Sequence, residues 1–547
     1  MGLATNHATG GSSETLERIE VVVVGAGFAG LYMLYRLREI GIDALAFEAA
    51  DDVGGTWHYN RYPGCRCDVE SLQYSYSFSK ELQRDWRWTE RYATQPEILK
   101  YVRHVADRFD LRRDIRFNTR VTTAVYDEKV NRWRVTTDRG NVVSARFCVM
   151  ASGCLSVPRK PSIPGVESFA GEWYHTGQWP AEGVNFSGKR VGVIGTGSTG
   201  LQLIPQVAKQ ADQLFVFQRT AAYSLPGKNR KLGADEESEF KQAYEPLRDK
   251  MRMSLTGTLH RMTDQSTLSL PPVERERVFE QLWEEGGAAL MYYFNDVIVS
   301  VEANDLIADF VRRKIGSIVK NPLTANALTP HHYPIGTKRI CIDIDYFETY
   351  NRDNVTLVSL ADNPIEEIAV HGLRTAGATY ELDCLVFATG YDAMTGALLQ
   401  IDIRGVAGQS LREKWEAGPR AYLGLASAGF PNLFMVTGPG SPSVLSNMVV
   451  SIEQHVDWIA ECLEFLSHKH LNRIVPHPEF EDAWVTHVGE LAHQTLFVRA
   501  ASWYMGANIP GKPRVFMPYL GGVGTYRQKC AQVASDGYSG FELSSVH

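Results

Sequence analysis

Two glycine-rich turns, each set between a strand-like and a helix-like run, constrain this chain more than any other feature. The first is Gly25-Ala26-Gly27-Phe28-Ala29-Gly30, directly after Val21-Val22-Val23-Val24. The second is Gly195-Thr196-Gly197-Ser198-Thr199-Gly200, directly after Arg190-Val191-Gly192-Val193-Ile194. Residues 31–39 then predict a helix and 41–48 a second strand, and the same order follows the second turn, ending in the strand 214–217. A G-x-G-x-x-G turn inside such a β-α-β unit of about 30 residues is a dinucleotide-binding arrangement. The glycines give a tight turn, close approach of backbone to a pyrophosphate, and close helix–strand packing, while the helix N-terminus faces the phosphates. Two units predict an α/β fold with two Rossmann-type nucleotide-binding domains, and imply electrons passed between two nucleotides.

The rest of the chain is organised around these units. A β-meander is expected over 121–149, inserted in the first. Apolar strands ending in small-residue turns recur at 147–153 and 384–390. Between Gly227 and Pro334 charged, helix-periodic sequence takes over, predicting a helical insertion, and strand-like sequence returns at Arg339-Ile340-Cys341-Ile342. Pro439 to Pro442 predicts a loop, and Ile452, Val456, Ile459 and Leu463 the buried stripe of a helix. The expected division is a disordered tail over 1–17, a first nucleotide-binding domain over 18–155 and 390–547, a second over 156–226 and 338–389, and the insertion over 227–337. At 547 residues, several compact units are needed. A net charge of -7 without a basic stripe speaks against nucleic acid, and no apolar run has the length of a membrane span. The start lacks a signal-peptide core, and Gly2 with Asn6 does not complete a myristoylation pattern. Eight cysteines make no disulfide framework, so a cytoplasmic location is expected, and no metal site is.

The two nucleotide sites read differently. In the first, Gly25, Gly27 and Gly30 form the turn, and Glu48 stands at the end of the next strand, where a carboxylate accepts from ribose hydroxyls and repels a 2′-phosphate. That suits the adenosine of FAD or NAD. Gly54-Gly55-Thr56-Trp57 follows, small residues and a tryptophan fit for backbone lying against a flat ring, and leads to Asp68. Cys65 and Cys67 are too close in sequence to form a redox pair without strain. In the second, Gly195, Thr196, Gly197, Ser198 and Thr199 form the turn, and Arg219 with Thr220 replaces the ribose-reading carboxylate. A guanidinium there favours the 2′-phosphate of NADPH. Lys338 is a second candidate for that phosphate.

The stretch Phe169-Ala170-Gly171-Glu172-Trp173-Tyr174-His175-Thr176-Gly177-Gln178-Trp179-Pro180 resembles the F-x-G-x-x-x-H-T-x-x-W-P fingerprint of type I Baeyer–Villiger monooxygenases at every fixed position. Residues 54–68 resemble a second fingerprint of that family, G-G-x-W-x-x-x-x-Y-P-G-x-x-x-D. The resemblance covers nearly the whole chain, and the stretches 350–355 and 438–443 look like the phenylacetone and steroid monooxygenase branch. It implies FAD in the first site, NADPH in the second, Arg339 as the catalytic arginine with Asp68 paired to it, and Trp503 near the nicotinamide nucleotide. It implies that His175 is structural, and that Leu155, Ser443, Val444, Leu445 and Met448 line the substrate pocket.

The implied reaction is insertion of one oxygen atom of O2 beside the carbonyl of a small-molecule ketone, through a flavin C4a-peroxide, giving an ester or lactone. Sulfoxidation is implied as a side activity. A guanidinium suits such chemistry because it stabilises an oxyanion without giving up a proton. Two other readings remain open on sequence: an oxygenase of sulfides or amines, and a catalytically silent flavoprotein that senses NADPH. Intact Arg339 and Asp68 speak against the second. The sequence names no particular ketone and no oligomeric state.

Overall fold

A computed structural model of the chain describes residues 16–546. Around the first glycine turn, parallel strands run in the order Leu433–Met435, Val142–Met150, Glu17–Val24, Ala44–Phe47 and Ile115–Arg116. Val21, Val22 and Val23 are fully buried, because both faces of this parallel layer are covered. That is why the run is apolar without alternation. The meander expected over 121–149 is present as Val121–Asp127, Arg132–Thr137 and the start of Val142–Met150, with Asp402–Arg404 added at its edge.

The helix after the first turn spans Phe28–Glu39, three residues longer than its periodicity predicted, because Gly27 is an extended N-cap and Phe28 already enters the first turn. Gly41, at φ +71°, ends it by donating to Arg38 O, and the strand resumes at Ala44 rather than residue 41. This helix packs against the long helix Met448–His468, whose Ile452, Val456, Ile459 and Leu463 are buried as expected. The expected tail and Gly2 fall almost wholly on residues 1–15, outside the described residues. Glu17 already opens the first strand and pairs with Arg116.

Around the second glycine turn, parallel strands run Val355–Ser359, Gln213–Gln218, Arg190–Ile194, Cys384–Phe387 and Glu172–His175. The fingerprint stretch thus supplies an edge strand. An antiparallel layer, Ile365–Ala369, Gly372–Thr375 and Thr379–Glu381, packs on one face through Ile368, Leu373 and Leu382 against Phe217, Leu385 and Phe387.

The helical stretch is tied at its base. Ser224–Pro226 on the way out pairs in parallel with Cys341–Asp343 on the way back. Between them lie the helices Ala234–Gln242, Tyr244–Met253, Pro272–Glu285, Val301–Ile318 and Pro322–Leu328, with the short helix Ala289–Tyr292. Among the described residues no helix is long and apolar enough to cross a membrane.

Candidate functional site

One cavity of about 810 Å³ opens between the two sheets. Gly25, Gly27, Glu48, Gly55, Thr56, Trp57, Asp68, Leu155, Ser198, Thr199, Arg339, Val444, Met448 and Trp503 all line it. Residues from both glycine turns, the Gly/Trp segment and the far C-terminal part of the chain therefore meet on one space.

The first-site wall is bare backbone. Gly25 sits at φ +107°, and a Cβ there would lie 2.7 Å from Ala151 O. A Cβ on Gly55 would come within 3.1 Å of Gly27 Cα, so two stretches of side-chain-free backbone face each other. The helix Phe28–Glu39 has no side-chain cap and no acid in its first turn, and neither has Ser198–Ala208. Such N-termini offer unpaired N–H groups and a positive dipole end to an anion. Glu48 is 6% exposed, and its carboxylate accepts from Ala26 N–H at 2.7 Å and Ala50 N–H at 2.8 Å. It therefore fixes the glycine turn as well as facing the cavity. These features fit an FAD-sized dinucleotide.

Asp68 and Arg339 form the charged centre of the wall. Nε of Arg339 donates to Asp68 Oδ2 at 2.9 Å, and Nη2 lies 2.7 Å from both carboxylate oxygens. Nη1 donates to Val444 O at 2.7 Å. Burial works against the Arg339 charge, but the Asp68 carboxylate outweighs it and holds the guanidinium well above its ordinary pKa. Tyr292 and Tyr504 lie nearby, their phenols pushed up by burial, so they stand neutral beside it.

The second site is reached through Ser198 and Thr199. Gly195, Thr196, Gly197, Arg219, Thr220 and Lys338 do not line this cavity. They sit on its second-sheet side, where Thr196 Oγ1 donates to Thr220 O at 3.2 Å. Arg219 is exposed. Burial, and then the charge of Arg219, lowers the pKa of both Lys338 and Arg159. Among the described residues none of these three cations has an ion-pair partner. A cluster of unpaired positive charge beside an uncapped helix N-terminus fits a phosphorylated ribose. Arg159 escaped the sequence reading because nothing marks it locally.

Three expectations change. Ser443 does not reach the cavity: it is fully buried at φ +42° and its hydroxyl donates to Thr437 O at 3.2 Å. The short turn that aims Val444 inward points Ser443 back into its own loop. Leu445 does not line the cavity, although it shares an apolar cluster with Trp503 and Met505. Gly30 is a packing residue beneath the turn, since a Cβ there would meet Gly25 O at 1.9 Å. Cys65 and Cys67 are unbonded, and burial pushes the Cys65 thiol up to about 12.

One connection was not foreseen, and a second involves His175, expected to be structural. Gln202, in the helix Ser198–Ala208, accepts from Tyr62 Oη at 2.8 Å and donates to Arg66 O at 3.0 Å. It stitches the segment leading to Asp68 onto the second nucleotide helix. His175 accepts from Gly177 N–H at its Nδ1, so Nε2 carries the proton toward Thr389 Oγ1 at 3.2 Å, and Thr389 in turn donates to Arg159 O. Burial lowers the His175 pKa to about 4, which keeps this relay neutral.

Residues 18–235 match the family described as flavin-binding monooxygenase-like. A Baeyer–Villiger monooxygenase of Pseudooceanicola batsensis is 44% identical over 524 residues, 95% of each chain. The chain belongs to the Baeyer–Villiger monooxygenases. A solved structure of oxidised steroid monooxygenase bound to NADP superposes on this Baeyer–Villiger family member with a TM-score of 0.93 at 51% identity. It covers 97% of this chain and 100% of that one. A phenazine N-monooxygenase of Lysobacter antibioticus is 43% identical over 530 residues, 96% of this chain and 97% of the relative.

Proposed function

We propose that the chain is an FAD- and NADPH-dependent monooxygenase that converts a small-molecule ketone to an ester or lactone with O2. The observation that carries this reading is the Arg339 guanidinium, fixed on Asp68 and Val444 O at the junction of the two nucleotide sites. When bound, FAD accepts hydride from NADPH and activates oxygen for transfer.

The chain's own residues do the rest. The first-sheet part of the chain holds FAD: the bare backbone around Gly25, Gly27 and Gly55 admits the pyrophosphate, and Glu48 orders the turn and reads the ribose. The second-sheet part holds NADPH, with Arg219 and Lys338 on its 2′-phosphate. Arg339 has five N–H donors, and its Nη1 uses one on Val444 O. The second Nη1 proton is free to stabilise negative charge on the carbonyl oxygen as the ketone is attacked. Because a guanidinium keeps its proton, it stabilises that charge without quenching it. Asp68 holds its orientation and offsets the cost of an isolated charge. Leu155, Val444, Met448 and Trp503 give the substrate side an apolar wall that limits water. The eight free, buried cysteines suit a reducing cytoplasm.

A second reading, oxygenation of a ring nitrogen, is supported by the phenazine N-monooxygenase relative. The test is NADPH consumption by the FAD-loaded protein with cyclic, aryl and steroid ketones, an aryl sulfide and a phenazine, with products identified by mass. Esters or lactones support the main reading, sulfoxide as a minor product is expected, and N-oxide with no ester reverses the assignment.

A further inference from the structure

The two glycine turns are built alike down to single hydrogen bonds. Gly25 N–H donates to Phe47 O at 2.8 Å, and Gly195 N–H donates to Phe217 O at 3.1 Å. In each unit the residue after that acceptor is buried at the end of its strand, equally far past the third glycine. In the first unit it is Glu48, 6% exposed, and in the second it is Gln218, 3% exposed. The first site is thus an internal control for the second.

The two side chains are nearly the same size and differ in charge and in partners. Both oxygens of Glu48 accept from backbone N–H groups, one of them, Ala26, inside the glycine turn. Gln218 donates through Nε2 to Ala327 O at 2.7 Å, in the helix Pro322–Leu328 of the insertion. Its Oε1 is buried and has no hydrogen-bond partner among the described residues. A buried acceptor left unpaired is costly, and it marks a place prepared for a donor that the protein does not supply.

We infer that Gln218 is a coenzyme-selecting residue: an uncharged acceptor held where a carboxylate would exclude a 2′-phosphate. It acts with Arg219 but by a different route. Arg219 attracts the phosphate, whereas Gln218 removes what would repel it and leaves an acceptor for a hydroxyl or amino donor of the nucleotide. A glutamate at this position would act against NADPH twice. It would place negative charge beside the phosphate, and it would pair with Arg219, the next residue, which has no carboxylate partner among the described residues. The tie to Ala327 holds the amide in this orientation, so the selecting residue is also braced by the insertion.

This inference rests on the NADPH reading of the second site. The test is calorimetric binding of 2′,5′-ADP and of 5′-ADP to the FAD-loaded protein, comparing wild type, Gln218→Glu and Gln218→Met, with flavin content and circular dichroism checking the fold. Gln218→Glu is expected to weaken 2′,5′-ADP by about tenfold or more, the scale of a like-charge clash, while 5′-ADP holds or tightens. Gln218→Met, which removes the acceptor without adding charge, is expected to weaken both ligands by similar factors. Equal losses of both ligands in Gln218→Glu, or no loss in either variant, would overturn the inference and leave Gln218 as a tie to the insertion. Should Gln218→Glu not fold, unchanged binding in Gln218→Met overturns it alone. A wild-type protein that binds 2′,5′-ADP no better than 5′-ADP would instead overturn the NADPH reading itself.

Discussion

Replacing Arg339 with alanine removes a guanidinium that makes its three short contacts with Asp68 and a fourth with Val444 O. Two consequences separate cleanly. The first is chemical: loss of one preorganised donor at developing negative charge typically costs about 100- to 1000-fold in rate. The second is structural, because Asp68 loses its partner. Breaking a fully buried ion pair costs roughly 3–5 kcal/mol. Here Arg339 and Asp68 are 30% and 24% exposed, and that surface faces the cavity. Water entering the space relieves much of the penalty, so about 1–2 kcal/mol of destabilisation is expected, within what a folded protein tolerates. The variant should therefore stay folded and yellow, and NADPH should still bleach its flavin at close to the wild-type rate. Ester formation should fall about 100- to 1000-fold, with the electrons appearing as hydrogen peroxide. Arg339→Lys keeps the charge but cannot reach Asp68 and Val444 O together in the same planar fork, so it should recover only a small part of the loss. Stopped-flow reduction, run beside ester and peroxide quantification, reads both halves. An Arg339→Ala protein that makes ester at a near wild-type rate, or whose reduction falls as far as its ester formation, refutes the assigned role.

Arg219→Ala should cost NADPH use about 10- to 150-fold, the value of a charge-assisted contact of roughly 1.5–3 kcal/mol, and barely change NADH use; equal losses in kcat/KM would remove Arg219 from the phosphate. Gly64 stands at φ +87°, and a Cβ there would lie 2.3 Å from Gln202 O, so Gly64→Ala should prise the segment before Asp68 off the second nucleotide helix. Slower flavin reduction at unchanged FAD content is the expected outcome, and an unaltered reduction rate would count against that stitch. Burial lowers the pKa of His175 and His260 to about 4 and of His455 to about 3. Their unfolded forms take up protons below about 6.5 while the folded forms do not, so stability should fall as pH drops from about 6.5 toward 4. Urea midpoints across that range, with proton uptake measured on unfolding, check the sign. A midpoint flat between pH 6.5 and 4.5 would contradict it.

The features legible in the sequence were those carried by side-chain type over short spans. Gly25, Glu48 and Arg219 announce themselves because turn geometry and charge select those residues at fixed offsets from a strand. The parallel strands Asp402–Arg404 and Leu433–Met435 went unread, since three residues carry no periodicity and their partners lie far away in sequence. So did the antiparallel layer over 365–381. The pairing of Asp68 with Arg339 came only through the family resemblance, because nothing local records a contact between residues so distant in the chain. Val444 holds Arg339 through its carbonyl, a group every residue has, and so leaves no trace in the sequence. Ser443 and Leu445 were misplaced for the converse reason: a pocket assignment by stretch ignores that one turn aims neighbouring side chains in different directions.

The tie between Ser224–Pro226 and Cys341–Asp343 has a consequence for recombining this protein with its relatives. Three residues just ahead of or within the returning strand, Lys338, Arg339 and Cys341, reach toward both nucleotide turns. Lys338 sits near Arg219, Arg339 grips Asp68, and Cys341 Sγ lies 3.2 Å from Ser198 Oγ at the start of the second nucleotide helix. The insertion is therefore not a detachable module. A chimera with its crossover between 338 and 341 mixes one parent's Lys338, proposed to meet the 2′-phosphate, with the other's strand register. A crossover after Asp343 carries lysine, arginine and register across as one inherited block.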